Sequence, residues 1–321
     1  MSAGPRVAVV VPVHNAEPFL AQTLDSVLAQ TFADWVAVVV DDASTDGSGA
    51  IAARYAAEHP GRFRVLAPER NLGVVKARNT AIAAAADCEL IALLDHDDLL
   101  REDFLERMTG LLDAGRARGR RVGVVGCDAR LLGPDGYREQ TWADRLGWYD
   151  PVTLDTLVRQ NTIFARALFD RAAFAAVGGF APETAGSDDH DLWLRLVQAG
   201  WEVAVTREPL AAYRVHAGAM SRNRAGMTSS NLVVYDRLLA RGGLTAGQRR
   251  DARRRVRHYR AVLAGWQARR AWSAGRRGEA LRVAAAAAPV ALMALAQDPR
   301  HWLTRRRRAL AAGRSGPAAA R

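Results

Sequence analysis

Residues 7–11, Val-Ala-Val-Val-Val, form an unbroken apolar run halted at Pro12, which reads as a strand buried on both faces. Behind it, Phe19, Leu20, Leu24, Val27 and Leu28 recur at helical spacing over residues 17–30. The alternation repeats: Val36–Val40 predicts a second buried strand, Ile51–Ala57 a helix, Phe63–Leu66 a short strand and residues 74–86 an alanine-rich helix. Leu90–Leu94 predicts a fourth strand, 102–115 a helix and Val122–Val125 a further strand. Residues 128–180 are less regular and hold Trp142, Trp148 and Tyr149; a helix is expected over 191–199 and a short strand over Val203–Val205. From about residue 228 the pattern is helical and rich in arginine and alanine, with no internal repeat.

Strands alternating with helices over the first 125 residues imply right-handed β-α-β units and a mostly parallel sheet flanked by helices, an α/β fold. Ligands of such open sheets sit at the carboxyl ends of the strands. Polar clusters fall there: His14-Asn15 after the first strand, Asp41-Asp42 after the second and Asp95–Asp98 after the fourth.

The chain has 321 residues, 49% apolar and 25% charged, a globular composition with room for a large domain and an appendage. Its net charge of +11 is unevenly placed. Residues 241–321 hold 20 basic and 3 acidic side chains, a net +17, so residues 1–240 carry −6. The basic character belongs to the tail, and no nucleic-acid partner is expected. Cys88 and Cys127 lack CxxC spacing and are too few for a disulfide scaffold, which fits a reducing, cytoplasmic setting. Val7–Val13 is too short for a signal peptide, and the apolar stretch Val283–Ala296 is too short for a membrane span and contains Pro289.

Five clusters carry chemistry. In an extended backbone Asp95 and Asp97 face one side and Asp98 the other, so the pair could bind a hard cation such as Mg²⁺ or Mn²⁺; the same residues could form an acidic turn capping the helix near Glu102. Asp42, in Asp41-Asp42-Ala43-Ser44-Thr45-Asp46-Gly47-Ser48, could accept a nucleobase N–H, while Ser44 or Thr45 could cap the next helix and Gly47 serve a turn. Asn71-Leu72-Gly73 with Lys76, Arg78 and Asn79 offers close backbone approach and cations suited to a diphosphate, or a loop glycine before a helix with solvated charges. Asp188, Asp189 and Asp191 complement a helix N-terminus, and crowding could raise one carboxyl into the range of a general base. Tyr213-Arg214-Val215-His216 adds a lone histidine.

In their order, Pro-Val-His-Asn at 12–15, the Asp41–Ser48 segment, Asn-x-Gly-x-x-x-Ala-Arg-Asn at 71–79, Leu-Asp-x-Asp-Asp at 94–98, Gly-Gly-Phe at 178–180, the Asp188–Leu196 segment and Tyr-Arg-x-His at 213–216 resemble the family-2 glycosyltransferases, inverting enzymes of the GT-A fold. The resemblance covers about residues 5–222. It implies a GT-A catalytic domain over 1–227, with 1–125 binding the nucleotide sugar and 126–227 the acceptor; it does not cover the tail, where charge and periodicity give a basic helical extension over 228–321. By the same resemblance Pro12, His14, Asn15 and Glu17 line the nucleotide pocket, and Asp42 contacts the base. Asn71, Gly73 and Arg78 lie near the ribose and diphosphate, with Asp95 and His96 beside them. Asp95 and Asp97 match the metal-binding DxD, Asp97 being the direct ligand. His216 matches the histidine that closes on metal or diphosphate, and Asp189 matches the base. Asp188 stands where Glu is frequent, which leaves the base between two neighbours.

The implied reaction moves a sugar from a nucleotide-diphosphate donor to a carbohydrate or lipid-linked acceptor hydroxyl in one in-line displacement, with Mn²⁺ or Mg²⁺ neutralising the leaving diphosphate. Trp142 and Trp148 could stack on an acceptor sugar or pack in the protein. A nucleotidyltransferase is the competing class; it would be expected to carry a glycine-rich phosphate loop where this chain has Val13-His14-Asn15-Ala16-Glu17. A non-catalytic sugar-binding relative would be expected to lack Asp97 or the Asp188–Asp189 pair, and both are present. In the tail, Arg305–Arg308 beside Trp302 and Leu303 suit either an anionic membrane surface, on the cytoplasmic face, or a solvated helical appendage.

Overall fold

Seven consecutive buried residues, Val7–Val13, make strand β1, and the alternation of its side chains builds two cores. Ala8 and Val10 point into one apolar cluster, Val7, Val9, Val11 and Val13 into the other, as the two-residue period of a strand requires. The computed structural model describes residues 4–297. Its further strands are β2 (Trp35–Asp41), β3 (Phe63–Leu66), β4 (Leu90–Leu93), β5 (Leu99–Leu100), β6 (Val122–Gly133), β7 (Gly136–Thr141), β8 (Leu168–Asp170) and β9 (Glu202–Arg214). They form one sheet in the order β3-β2-β1-β4-β8-β6-β9-β5, with β7 hairpinned onto β6. The helices are α1 (Glu17–Leu28), α2 (Ser48–Glu58), α3 (Val74–Ala84), α4 (Phe104–Ala117), α5 (Trp142–Leu146), α6 (Leu154–Arg159), α7 (Arg171–Ala176), α8 (Asp188–Gln198), α9 (Arg224–Arg241), α10 (Ala246–Ser273) and α11 (Arg277–Gln297).

The β1–β4 half is parallel, as the alternation predicts. Beyond it the sheet is mixed: β8 runs antiparallel to β4 and β6, β9 is parallel to β6, and β5 is antiparallel to β9. The expected dividing points at 125 and 227 fall inside β6 and α9. Helices α1 and α4 cover one face with Leu20, Leu24, Phe104 and Met108; α3, α8 and α9 cover the other with Ala77, Trp193 and Tyr235.

Two local expectations are corrected. Pro12 does not end β1; the strand continues to Val13. Val10 O accepts from Leu94 N on the β4 side and Val13 O from Asp42 N on the β2 side. Pro12 therefore faces the β4 side, where pairing has stopped at Val10, and its missing N–H costs the ladder nothing. The strand expected at Val203–Val205 runs on to Arg214, because a bulge at Arg207-Glu208 carries it past Pro209 while pairing with β6 resumes. Trp142 packs on Phe164, ring centroids 5.4 Å apart, as part of the second core.

The C-terminal helices are tied to this core. Val234, Tyr235 and Leu238 of α9 and Ala252 and Val256 of α10 join the cluster that holds Trp193. Asp191, fully buried in α8, accepts from Arg195 Nε at 2.8 Å and lies 3.3 and 3.5 Å from Arg237 and Arg241 of α9. Removing that carboxylate would leave Arg195 buried without its charge partner. Asp191→Ala is expected to lower the unfolding free energy by about 3 kcal/mol in urea titration; a loss below about 1 kcal/mol would show that the cluster does not anchor α9.

Candidate active site

The loop after β1 turns through Asn15 at φ 51° and the loop after β2 through Ala43 at φ 56°, left-handed conformations that side chains adopt at a cost. The two loops hold one another there. Ser44 Oγ accepts from Asn15 N (3.0 Å), Asn15 Oδ1 from Thr45 N (2.8 Å), Asp46 Oδ2 from Glu17 N (3.0 Å) and Glu17 Oε2 from Gly47 N (3.0 Å). Neither Ser44 nor Thr45 caps α2, which starts after Gly47. Gly47 serves close approach rather than a special turn: its φ is −70°, and a Cβ there would meet Glu17 Oε1 at 2.7 Å. His14, Asn15 and Glu17 remain exposed at the sheet edge.

Asp42 is 2% exposed. Its oxygens accept from the backbone amides of Leu72 (2.6 Å) and Gly73 (2.8 Å), and its carbonyl accepts from His14 Nδ1 at 2.9 Å. The carboxylate thus ties the loop after β2 to the 71–73 turn, and the backbone carbonyl ties it to the loop after β1. Gly73 precedes α3 at φ 82°, with nothing within 4 Å of where a Cβ would stand. Exposed Asn71 also accepts from Gly73 N, at 3.0 Å. A cleft of 390 Å³ lined by Gly73, Lys76, Pro182, Glu183 and Ala185 opens beside this turn.

Asp95–Asp98 is a turn, closed by Asp98 N donating to Asp95 O at 3.1 Å, so the extended-backbone geometry does not apply. Carboxylate oxygens of Asp95, Asp97 and Asp98 lie within 4.8 Å of one another. The segment does not cap α4, whose N-cap is Asp103. Arg78 is buried rather than solvated: it donates to Asp95 Oδ1 at 2.6 Å and to Asp188 Oδ2. Buried Arg166 donates to Asp95 Oδ2, and its Nε sits 2.7 Å from Asp98 Oδ2 as an ion pair without hydrogen-bond alignment. Burial opposes the charge on Asp95, yet Arg166 and Arg78 outweigh it and hold its carboxyl well below the usual range. Asp98 behaves oppositely: full burial, with Asp97 and Asp95 adding to it against Arg166, raises its carboxyl to about 7. Asp98 Oδ1 also accepts from Arg214 N at 2.8 Å. His96 faces β1, donating from Nδ1 to Pro12 O at 3.1 Å.

Asp97 is the carboxylate that no arginine side chain engages among the described residues; its Oδ2 lies 2.9 Å from His216 Nε2, and Phe19 packs on the histidine at 4.6 Å. The 2.9 Å separation of Asp97 and His216 is a hydrogen bond between the two side chains, and Asp97 with Asp95 and Asp98 forms the carboxylate cluster that could hold a divalent cation. At the start of α8, Asp188 is buried on Arg78. Asp189 is half-buried, accepting from Asn161 Nδ2 (2.9 Å) and its neighbour's amide (His190 N, 2.8 Å). Burial, then the charge of Asp188, pushes Asp189 up to about 6. His190 faces inward, donating from Nε2 to Leu157 O at 2.9 Å, and burial lowers it to about 4.

The sequence-predicted residues therefore gather at one edge of the sheet. Sequence reasoning missed Arg166, Asn161 and the inward role of Asp98. The first two come from the irregular 128–180 stretch, where no periodicity marks a side chain as site-facing. The Gly-Gly-Phe segment is tied in through Asn79, whose side chain exchanges hydrogen bonds with the backbone of Phe180.

A family model described as glycosyl transferase family 2 matches residues 8–177. The putative glycosyltransferase EpsE of Bacillus subtilis is 28% identical over 73% of this chain and 82% of its own length. The succinoglycan biosynthesis protein ExoO of Rhizobium meliloti is 30% identical over 80% of this chain and 74% of its own. The chain spans only 20% of another relative, the uncharacterized protein y4gI of Sinorhizobium fredii, at 35% identity over 61% of this chain. Among solved structures, the mannosyltransferase PcManGT from Pyrobaculum calidifontis, in complex with GDP-Man and Mn²⁺, superposes with a TM-score of 0.60 at 22% identity, over 94% of this chain and 84% of that one. TarS of S. aureus, residues 1–349 with UDP, gives 0.56 at 19% identity, over 83% and 72%. Both likenesses show the GT-A fold.

Asp42→Ala should release the 71–73 turn. Amide exchange at Leu72 and Gly73 is expected to quicken at least about tenfold, read by hydrogen–deuterium exchange; unchanged protection would show that Asp42 does not hold the turn.

Proposed function

This chain belongs to glycosyl transferase family 2, and from that premise we propose that it moves a sugar from a nucleotide-diphosphate donor to an acceptor hydroxyl with inversion. The observation that carries this reading is the unequal treatment of two adjacent carboxylates. Arg78 engages Asp188, whereas Asp189 stays outside that ion pair, partly buried, with its carboxyl raised to about 6 by burial and the charge of Asp188. A group poised there is ionised at neutral pH yet basic enough to draw the acceptor proton. Asp189 is the base in this reading, and Asp188 keeps Arg78 in place.

The donor lies across the ends of β1, β2 and β4, in the portion up to about residue 125. His14, Asn15 and Glu17 border the nucleotide beside Pro12 and His96. Asp42, buried with both oxygens on the Leu72 and Gly73 amides, acts on the nucleotide by orienting the Asn71–Gly73 turn. Asp97 and His216 would hold Mn²⁺ or Mg²⁺ directly, with Asp95 oriented beside them by its two arginines; the cation, when bound, supplies charge neutralisation at the leaving diphosphate. The Mn²⁺ in the PcManGT complex supports a metal of this kind. In this reading residues 126–227 face the acceptor. The relative named for succinoglycan biosynthesis supports a carbohydrate or lipid-linked acceptor in cell-surface polysaccharide assembly. Among the described residues no helix is long and apolar enough to cross a membrane. The basic extension over 228–321 suits peripheral attachment to an anionic surface at the cytoplasmic face; its Trp302–Arg308 segment lies outside the described residues.

Asp189→Asn should bind donor normally and lose transfer at least about 10²-fold, measured as nucleoside diphosphate release. Since the base works deprotonated, wild-type kcat should climb with pH through about 6 and level above it. Full activity in Asp189→Asn with a dead Asp188→Asn would exchange the two roles. Separately, Asp97→Asn should keep its thermal melting point and lose metal-dependent turnover; unaltered turnover at saturating Mn²⁺ would remove Asp97 from the metal site.

A further inference from the structure

Helices α10 and α11 form an antiparallel hairpin joined at Ala274–Arg276. Only the first half of α10 reaches the core, through Ala252, Val256 and the partly buried Tyr259. The remaining 14 residues, about 21 Å of helix, run on with α11 beyond it. Within α11, Ala280, Val283 and Ala287 share one face; Ala280 is buried, as is Ala271 of α10, and the other two are partly covered. This face packs on α10. Leu281, Ala284, Ala285 and Ala288 share another face, at i, i+3, i+4 and i+7, and every one of them is exposed. Leu281 is 63% exposed and Trp272, across the turn, 54%. A helix apolar on two faces has covered one.

Charge says what covers the other. Arg269, Arg270, Arg276, Arg277 and Arg282 are all exposed around the turn. The one carboxylate there, Glu279, pairs with Arg276 at 2.7 Å, and the Arg277 guanidinium lies 5.5 Å from the Trp272 ring centre. Over residues 246–288 twelve arginines face two carboxylates. A second copy of this hairpin would bring like charge against like. An anionic bilayer satisfies both halves: Trp and Leu enter the headgroup boundary while arginines meet lipid phosphates.

We propose that the outer face of α11, with Trp272 and the arginines of the hairpin tip, is the surface on which the protein lies against an anionic lipid bilayer. The proposal rests on the peripheral-attachment reading above and locates it in described residues. The test is co-sedimentation of the full-length chain with phosphatidylglycerol-containing vesicles and with pure phosphatidylcholine, for wild type and Trp272→Ser/Leu281→Gln. Donor hydrolysis serves as the control for folding, since neither residue touches the catalytic edge. Wild type should pellet with the anionic vesicles at low salt and not with the neutral ones, and the double variant should lose at least about tenfold in partitioning with hydrolysis intact. Wild-type pelleting unchanged in the variant would overturn the tip while leaving attachment to other residues. No pelleting of wild type would overturn attachment itself. A dimer in analytical ultracentrifugation that the double variant breaks would overturn the lipid in favour of a second copy.

Discussion

Two buried guanidiniums hold the candidate site together. Arg78 and Arg166 both bond Asp95, and through their other sides they reach Asp188 and Asp98. Buried charge is stable only when paired, and here each arginine needs carboxylates from elements far apart in the chain. Remove either and several acids would face one another at a low-dielectric edge. The pairing also gives the carboxylates different roles. Asp95 and Asp188 are committed to arginine, Asp97 is left to His216, and Asp189 is left without an arginine partner among the described residues, its pKa raised by burial.

The rest of the molecule supports that division. The parallel half brings three loops to one edge, and Asp42 fastens two of them with backbone hydrogen bonds. The mixed half brings in Arg166 just before β8, the acidic turn of α8, and His216 after β9. The C-terminal helices are part of the same body: Asp191, two residues from Asp189, meets arginines of α9. The extension thereby packs against the helix that carries Asp189.

Most of the fold and much of the site could be read from residue patterns. Long apolar runs such as Val36–Val40 and the helical spacing of 17–30 specify their elements locally, and the strand ends then place His14, Asp42 and Asp95 on one edge. What escaped was specified by distant partners. Strands β5 and β8 have two and three residues, too few for a period to register. Arg166 meets Asp95 across 71 positions, and nothing in spacing announces such a pair. Asp98 was misplaced because an extended backbone was assumed where a turn brings it inward. The basic tail showed its charge in the sequence, but which face of α11 stays uncovered depends on packing against α10.

The account turns on Asp189 being the carboxyl set apart from the arginine-bound network. Carbon-13 carboxyl NMR of aspartate-labelled protein, with the Asp189 resonance identified by its loss in Asp189→Asn, measures this without any assumption about donor or acceptor. The account predicts a titration midpoint of about 6 for that resonance. A midpoint near the ordinary aspartate value of about 4 would contradict it.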